Sequence, residues 1–428
     1  MKFDYIYKKV SFMKFKLFHL FFIIAACLIS YSQVEEVNPP DFIKTINFTG
    51  DSNESQLPII KLGAPLSLEF DALNGDEEDY YYTIEYFNFD WTPAVLVKSE
   101  YLEGIDNQRI RNYENSFNTY QIYSHYKLLI PNKQTKRLKV SGNYMIKVFN
   151  DDGELMFSRK FMVYENMAAI GVNLKRVRDI NLIEYKQRTE ITISPINLQL
   201  NNPKQNVKIS IVQNNNLNTA INNLVPQFTI GNQLIYKYDS ESSFWAGNEY
   251  LYFENKDVRA ANSGIQRIEL NDLYHNYLFP NFSRANNPYT YYPDINGNYL
   301  INNIDADDSN IEADYVWIHF KLLSNTEIEG KTIHVYGNFN NYAIDDINKM
   351  TFDEYDKVYK CSILLKQGFY NYKYVVIEND KTLNEGAISG DFFQTENNYK
   401  VVTYYRDLGK RFDRIIGIGE GSSVNISN

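Results

Sequence analysis

Apolar positions along this chain recur every second residue far more often than every third or fourth. The clearest stretch covers residues 140–164, VSGNYMIKVFNDDGELMFSRKFMVY. Tyr144, Ile146 and Val148 fall on one side of an extended segment, and Leu155, Phe157, Phe161 and Val163 answer from a returning one. Period-2 spacing of β-branched and aromatic residues is the signature of a strand. Asn150-Asp151-Asp152-Gly153 supplies the turn, because glycine reaches positive φ without a Cβ clash. A similar unit covers residues 367–386, and a weaker echo covers 296–307.

The same spacing predicts strands over residues 66–70, 80–87 and 126–130 ahead of that hairpin. Residues 102–123 form a polar, aromatic insert, too long for a tight turn and suited to helix or an ordered loop. The junction 165–175 has little strand or turn character. Beyond it, 190–200 and 206–212 read as a strand pair joined by Asn201-Asn202-Pro203-Lys204, and 228–238, 249–254 and 266–270 continue the pattern. A third run comprises 315–323, 333–339, 357–365, 370–377 and 399–405. The Gly/Ser/Asn-rich end, 416–428, is expected to fray. The fold class is therefore all-β, with tandem immunoglobulin-like β-sandwich domains after an N-terminal signal peptide. The expected divisions are 1–32 (signal peptide), 33–165, 166–311, 312–418 and a flexible tail, 419–428.

Composition reinforces this reading. There are 36 Tyr and 27 Phe against 3 Trp, a bias that suits strands and turns. Net charge is −10, and residues 1–32 hold five Lys and one Asp, so the remainder is more acidic still. Such a chain has no general attraction to nucleic acid or anionic lipid. Of the two cysteines, Cys27 lies in the targeting segment and Cys361 is left without an internal disulfide partner, which also excludes a four-cysteine zinc site. Lys14 and Lys16 flank an apolar run over 17–29, too short for a permanent span, and Ser30 and Ser32 set a cleavage before Gln33. Ile24-Ala25-Ala26-Cys27 also fits a lipoprotein box with Cys27 lipidated, although Leu28-Ile29 carries the apolar run past the cysteine. Whether the chain starts at Met1 or Met13 stays open. No later stretch reaches the ~20 apolar residues of a membrane helix.

No catalytic, cofactor-binding or metal-binding constellation stands out. The five histidines show no HExxH and no close pairing, and there is no G-x-S-x-G elbow or P-loop. Gly417-Ile418-Gly419-Glu420-Gly421 lacks the helix that a dinucleotide site requires. Asp305-Ala306-Asp307-Asp308-Ser309 with Glu312 superficially suggests a calcium loop. An EF-hand needs Gly at its sixth position and Glu at its twelfth, where this chain has Asn310 and Val316, so the stretch reads as a solvated linker. Aromatic clusters carry the remaining candidates: Trp91 in a break of the strand pattern, Trp245 within Phe244–Tyr250, and Tyr289, Tyr291 and Tyr292 before Pro293. Such clusters pack core edges or contact partners.

Several short motifs recur in a particular order. They are Asn88-Phe89-Asp90-Trp91, Ser141-Gly142-Asn143-Tyr144 through Asp152-Gly153-Glu154, Gly247-Asn248-Glu249, Asn255-Lys256-Asp257-Val258-Arg259, Asp294-Ile295-Asn296-Gly297-Asn298-Tyr299, Tyr336-Gly337-Asn338-Phe339 and Gly390-Asp391-Phe392-Phe393-Gln394-Thr395-Glu396-Asn397. In that order and spacing the chain, over about residues 35–418, resembles the Plug protein family of the type IX secretion system of Bacteroidota. The resemblance implies a periplasmic, non-enzymatic protein without a cofactor, exported by its signal peptide and peripheral to the inner face of the outer membrane. Its implied partner is the large outer-membrane β-barrel translocon, whose periplasmic opening it binds and seals. Residues 336–376 are also similar to starch- and glycogen-binding β-sandwich modules, through Gly337-Asn338-Phe339-Asn340-Asn341-Tyr342 and Gly368-Phe369-Tyr370-Asn371-Tyr372-Lys373-Tyr374. That likeness would make Tyr342 an exposed sugar platform, while the turn Asn379-Asp380-Lys381 offers no second aromatic. Cargo of the same secretion system ends in a sorting domain, which IIGIGEGSSVNISN does not resemble.

Overall fold

The hairpin forms as the alternation predicts. Strands Gly142–Phe149 and Leu155–Tyr164 pair antiparallel, with Tyr144 opposite Phe161 and Val148 opposite Phe157. Gly153 takes φ +81°, and Asn150 Oδ1 accepts the Glu154 N–H at 2.8 Å, which closes the turn. This computed structural model describes residues 33–50, 56–424 and 426. The signal segment, Cys27 and both alternative starts lie outside the described residues. Strand accounts for 47% and helix for 5%, so the all-β class holds. Among the described residues no helix is long and apolar enough to cross a membrane.

Three cores organise the chain. The first lies between a four-stranded sheet (Ile43–Thr49, Leu66–Ala72, Ser124–Ile130, Asn112–Asn115) and the hairpin with Tyr81–Phe87. Phe70, Tyr80, Tyr126, Tyr144 and Phe161 interlock there through edge-to-face and stacked contacts of 4.9–5.2 Å. The expected insert 102–123 is neither a helix nor a plain loop. It holds the short strands Gln108–Arg109 and Asn112–Asn115, each an addition to a sheet edge, and Leu102–Gly104, which pairs with Thr135–Leu138 in a two-stranded sheet of its own.

The second core breaks the linear order of the chain. The junction 165–175, expected to be featureless, contains the nine-residue strand Ala168–Arg176 paired along its length with Lys186–Pro195. The expected pairing of 190–200 with 206–212 does not occur. Lys186–Pro195 joins Gln233–Tyr236 and Ser243–Trp245 in one sheet, while Val207–Gln213 lies in the facing one between Asn216–Asn222 and Asn398–Tyr405. Asn398–Tyr405 pairs with Arg414–Ser422. The latter meets the first hairpin at Tyr164 opposite Ile415, so a single nine-stranded sheet runs through both cores.

The expected fraying end is thus, to Ser422, an inner strand. Its glycines explain the position. A Cβ on Gly417 would stand 2.5 Å from the Ala168 carbonyl oxygen, one on Gly419 2.7 Å from Ile170, and one on Gly421 2.7 Å from Leu174. Glycine at every second position lets Ala168–Arg176 lie directly on this strand.

The third core, within residues 253–388, sits between the sheet of Tyr315–Leu323 and Val358–Lys366 and that of Gly368–Ile377 with Leu251–Glu254 and Thr332–Tyr336. The expected unit at 367–386 is a hairpin in which Gly368–Ile377 returns through Leu383–Asn384. In the acidic stretch, Arg259 takes Asp305, and Asp308 accepts the Asn310 N–H at the start of the short helix Ser309–Glu312.

Polar side chains bolt the cores together. Lys366, 1% exposed, places Nζ 2.6 Å from Oδ2 of fully buried Asp71 and 4.1 Å above the Tyr123 ring. Tyr315 donates to the same oxygen at 2.7 Å, and His125 Nδ1 lies 2.7 Å from Oδ1. Burial pushes the Asp71 carboxyl up, and Lys366 and His125 reverse that and hold it below its usual range. Tyr404 donates to Asn143 Oδ1 at 2.8 Å between the second and first cores, and Asn216 donates to the Tyr336 hydroxyl at 2.9 Å between the second and third.

Candidate functional site

Three of the ordered motifs meet at one place. The 244–250 segment leaves the strand Ser243–Trp245 and is bound on one side by the 389–397 loop. Gly247 N–H donates to Asp391 Oδ1 at 2.9 Å, Phe392 N–H donates to the Gly247 carbonyl at 2.9 Å, and Asn248 Nδ2 donates to the Ser389 carbonyl at 2.7 Å. On the other side it meets 289–299. Tyr289 donates to Glu249 Oε1, and the Tyr250 N–H donates to Asp294 Oδ2, each at 2.5 Å. Asn371 Oδ1, from Gly368–Ile377, then accepts the Ile295 and Gly297 N–H groups. Short Asn, Asp and Gly residues suit this work, because they satisfy neighbouring backbone groups where no ladder can run.

The junction is acidic and dry. Burial pushes the Glu249 carboxyl up to about 7, only partly opposed by the Tyr289 and Glu396 hydrogen bonds. Burial likewise pushes Asp294 up to about 6. Beside them opens a cleft of about 610 Å³, lined by Trp245, Asn248, Lys373, Glu385 and Asp391 among others. The Lys373 ammonium is bonded to Glu385, and it lies 4.8 Å from the Tyr250 ring. Lys373, Glu385 and Asp391 are engaged in holding the loops that line the cleft.

The expected contact residues separate into two groups. Trp245 is 53% exposed at the rim of the cleft, with the Lys186 ammonium 4.5 Å from its ring. Tyr291 and Tyr292 are each about half exposed, and Tyr291 reaches Glu396 at 3.2 Å. Tyr289 is partly buried through its bond to Glu249. Trp91 is corrected from contact to core: it is 6% exposed, packed with Phe87, Met145, Met162 and Tyr404 beneath Lys160. The hairpin has a second covered face, and Trp91 is part of that cover. Tyr342 is corrected likewise. It is 3% exposed, packs 5.1 Å from Tyr336 and donates to the Asn214 carbonyl at 3.1 Å, so it cannot serve as a sugar platform.

Other groups escaped the sequence reading. His275 and His319, taken as unpaired, approach to 2.8 Å on adjacent parallel strands, and burial with nearby His275, Arg267 and Lys321 lowers His319 to about 4. Their separation of 44 residues hides this in one dimension. Asp71 and Lys366 are 295 residues apart and equally hidden. Arg159 was visible: it interrupts the apolar row Leu155, Phe157, Phe161, Val163 at its middle position.

Comparison with known proteins agrees with this picture. Residues 43–165, the first sandwich, match the family model for the type 9 secretion system plug protein 1st domain. The crystal structure of a hypothetical protein from Parabacteroides merdae ATCC 43184 superposes with a TM-score of 0.87 at 30% identity, over 91% of this chain and 100% of that one. No match was found among curated protein sequences. The chain belongs to the plug protein family of the type IX secretion system.

Proposed function

We propose that this protein is a plug that seats on the periplasmic opening of the type IX outer-membrane translocon and closes it without chemistry. The observation that carries this reading is the bolting of three cores into one body by buried bonds such as Lys366–Asp71 and Tyr404–Asn143. A stopper has to keep its shape while solutes press on the pore, and preformed surfaces bind with little rearrangement. The family is not known as enzymatic, and the cleft residues here serve to position loops. In this reading the protein is exported by its N-terminal segment and is peripheral to the inner face of the outer membrane. Its contacts include Trp245, Tyr291 and Tyr292, since half-exposed aromatic residues join apolar area to a hydrogen-bonding edge at low entropy cost.

The test is affinity purification of the tagged protein from its own envelope, with mass spectrometry of what accompanies it. The expected result is co-recovery of one very large outer-membrane barrel, together with leakage of small solutes in a strain lacking the protein. Recovery without any barrel, or an unchanged permeability in the deletion strain, overturns the proposal.

A further inference from the structure

Arg159 is a charged residue in an apolar row. It stands on the same face of Leu155–Tyr164 as Phe157 and Phe161 and is 8% exposed. Its Nη1 donates to the carbonyls of Ser158 at 2.8 Å and Val37 at 3.4 Å. Among the described residues no carboxylate forms an ion pair with it. Glu36 lies near enough to influence its charge, yet one Glu36 oxygen accepts the Lys160 N–H and the other accepts Asn341 Nδ2 at 2.6 Å. A guanidinium has five N–H donors, so Nε and Nη2 are left without an acceptor in the described protein.

The guanidinium lines a cleft of about 110 Å³ between the first and third cores. Phe48, Phe339 and Tyr370 supply apolar walls, and Asn340 and Asn341 supply amides at one side. A cation set this deep is costly unless cleft water or an anion completes it, and a planar carboxylate matches the two parallel N–H groups that remain. A phosphate fits less well, because it has no carbon body for the aromatic walls.

We propose that this cleft binds a monoanionic carboxylate carried on a small apolar body, held bidentately by Arg159. The site does not depend on the translocon reading. Two sources share this chemistry, a free organic acid and the terminal residue of a peptide, and their ligands separate them. Calorimetry on the full chain would compare hexanoate with hexanamide, and N-acetylphenylalanine with its amide. Either acid is expected to bind saturably and roughly tenfold or more tighter than its neutral partner. Hexanoate alone points to a free acid, and N-acetylphenylalanine alone to a chain end. Arg159→Met is expected to abolish binding. Ile347→Trp, at an exposed rim position where folding is not at stake, is expected to fill the cleft and abolish it too. The proposal is overturned if neither acid binds at millimolar concentration, if the amides bind equally well, or if Ile347→Trp binds like the native protein.

Discussion

Single residues here matter through what burial does to their charge. Lys366 and Asp71 are both dry, and each is the main electrostatic partner of the other. Removing one leaves an uncompensated buried charge, so Lys366→Met is expected to lose about 3–5 kcal/mol in urea unfolding. Changing both to residues of similar volume is expected to recover much of that loss. Glu249 works in the opposite sense. Its carboxyl rises on folding from 4.5 to about 7. A group of this kind contributes its stability fully below the unfolded value and loses it as pH climbs through the folded one. Glu249→Gln keeps an acceptor for Tyr289 and cannot ionise. It is expected to exceed the native protein by roughly 2–3 kcal/mol at pH 8, with little difference at pH 4.5. Equal urea midpoints for the two proteins at both pH values would refute the assignment.

Among the elements, the hairpin 140–164 and the strand Tyr315–Leu323 were legible in the sequence because their alternation is local and their turn chemistry explicit. Strands such as Ala168–Arg176 were not. Ala168, Ile170, Val172 and Leu174, spaced by the exposed Ala169, Gly171 and Asn173, read as junction until a facing glycine row is brought beneath them by the far end of the chain. That row was visible as Gly417, Gly419 and Gly421, but close backbone packing and phosphate binding both call for glycine, and one dimension does not distinguish them. Of the site, the exposed Trp245, Tyr291 and Tyr292 were legible as clusters. The burial of Trp91 fitted the core reading open to it, whereas that of Tyr342 was not legible, because what covers it comes from other strands. The glycine row makes its own prediction. Gly419→Ala forces a methyl against Ile170 and is expected to cost about 1–3 kcal/mol. Gly171→Ala, whose Cβ would meet nothing closer than 3.9 Å, is expected to be neutral or mildly stabilising. Equal unfolding midpoints for these two variants would contradict the packing described.

At the scale of the whole molecule, Asn398–Tyr405 and Arg414–Ser422 lie inside the nine-stranded sheet, between the middle of the chain and its beginning. A chain ending at residue 397 is therefore expected to keep slow hydrogen exchange across residues 43–163 and to lose it across 186–236, whose facing layer is reduced to Val207–Gln213 and Asn216–Asn222 without those strands. Protection surviving over 186–236 would show the middle core to be self-sufficient. The same placement has a consequence in time. The two strands that complete the middle core leave the ribosome after every residue of the third core. Gln213 waits for its neighbour Tyr399 across a stretch that contains the whole third core, and such distant pairings form slowly. Until then Val207–Gln213 stands with one open edge, ready to accept the wrong strand. The first core has all its residues early and the third can follow, so the interval before residue 405 arrives is the newborn chain's period of greatest vulnerability.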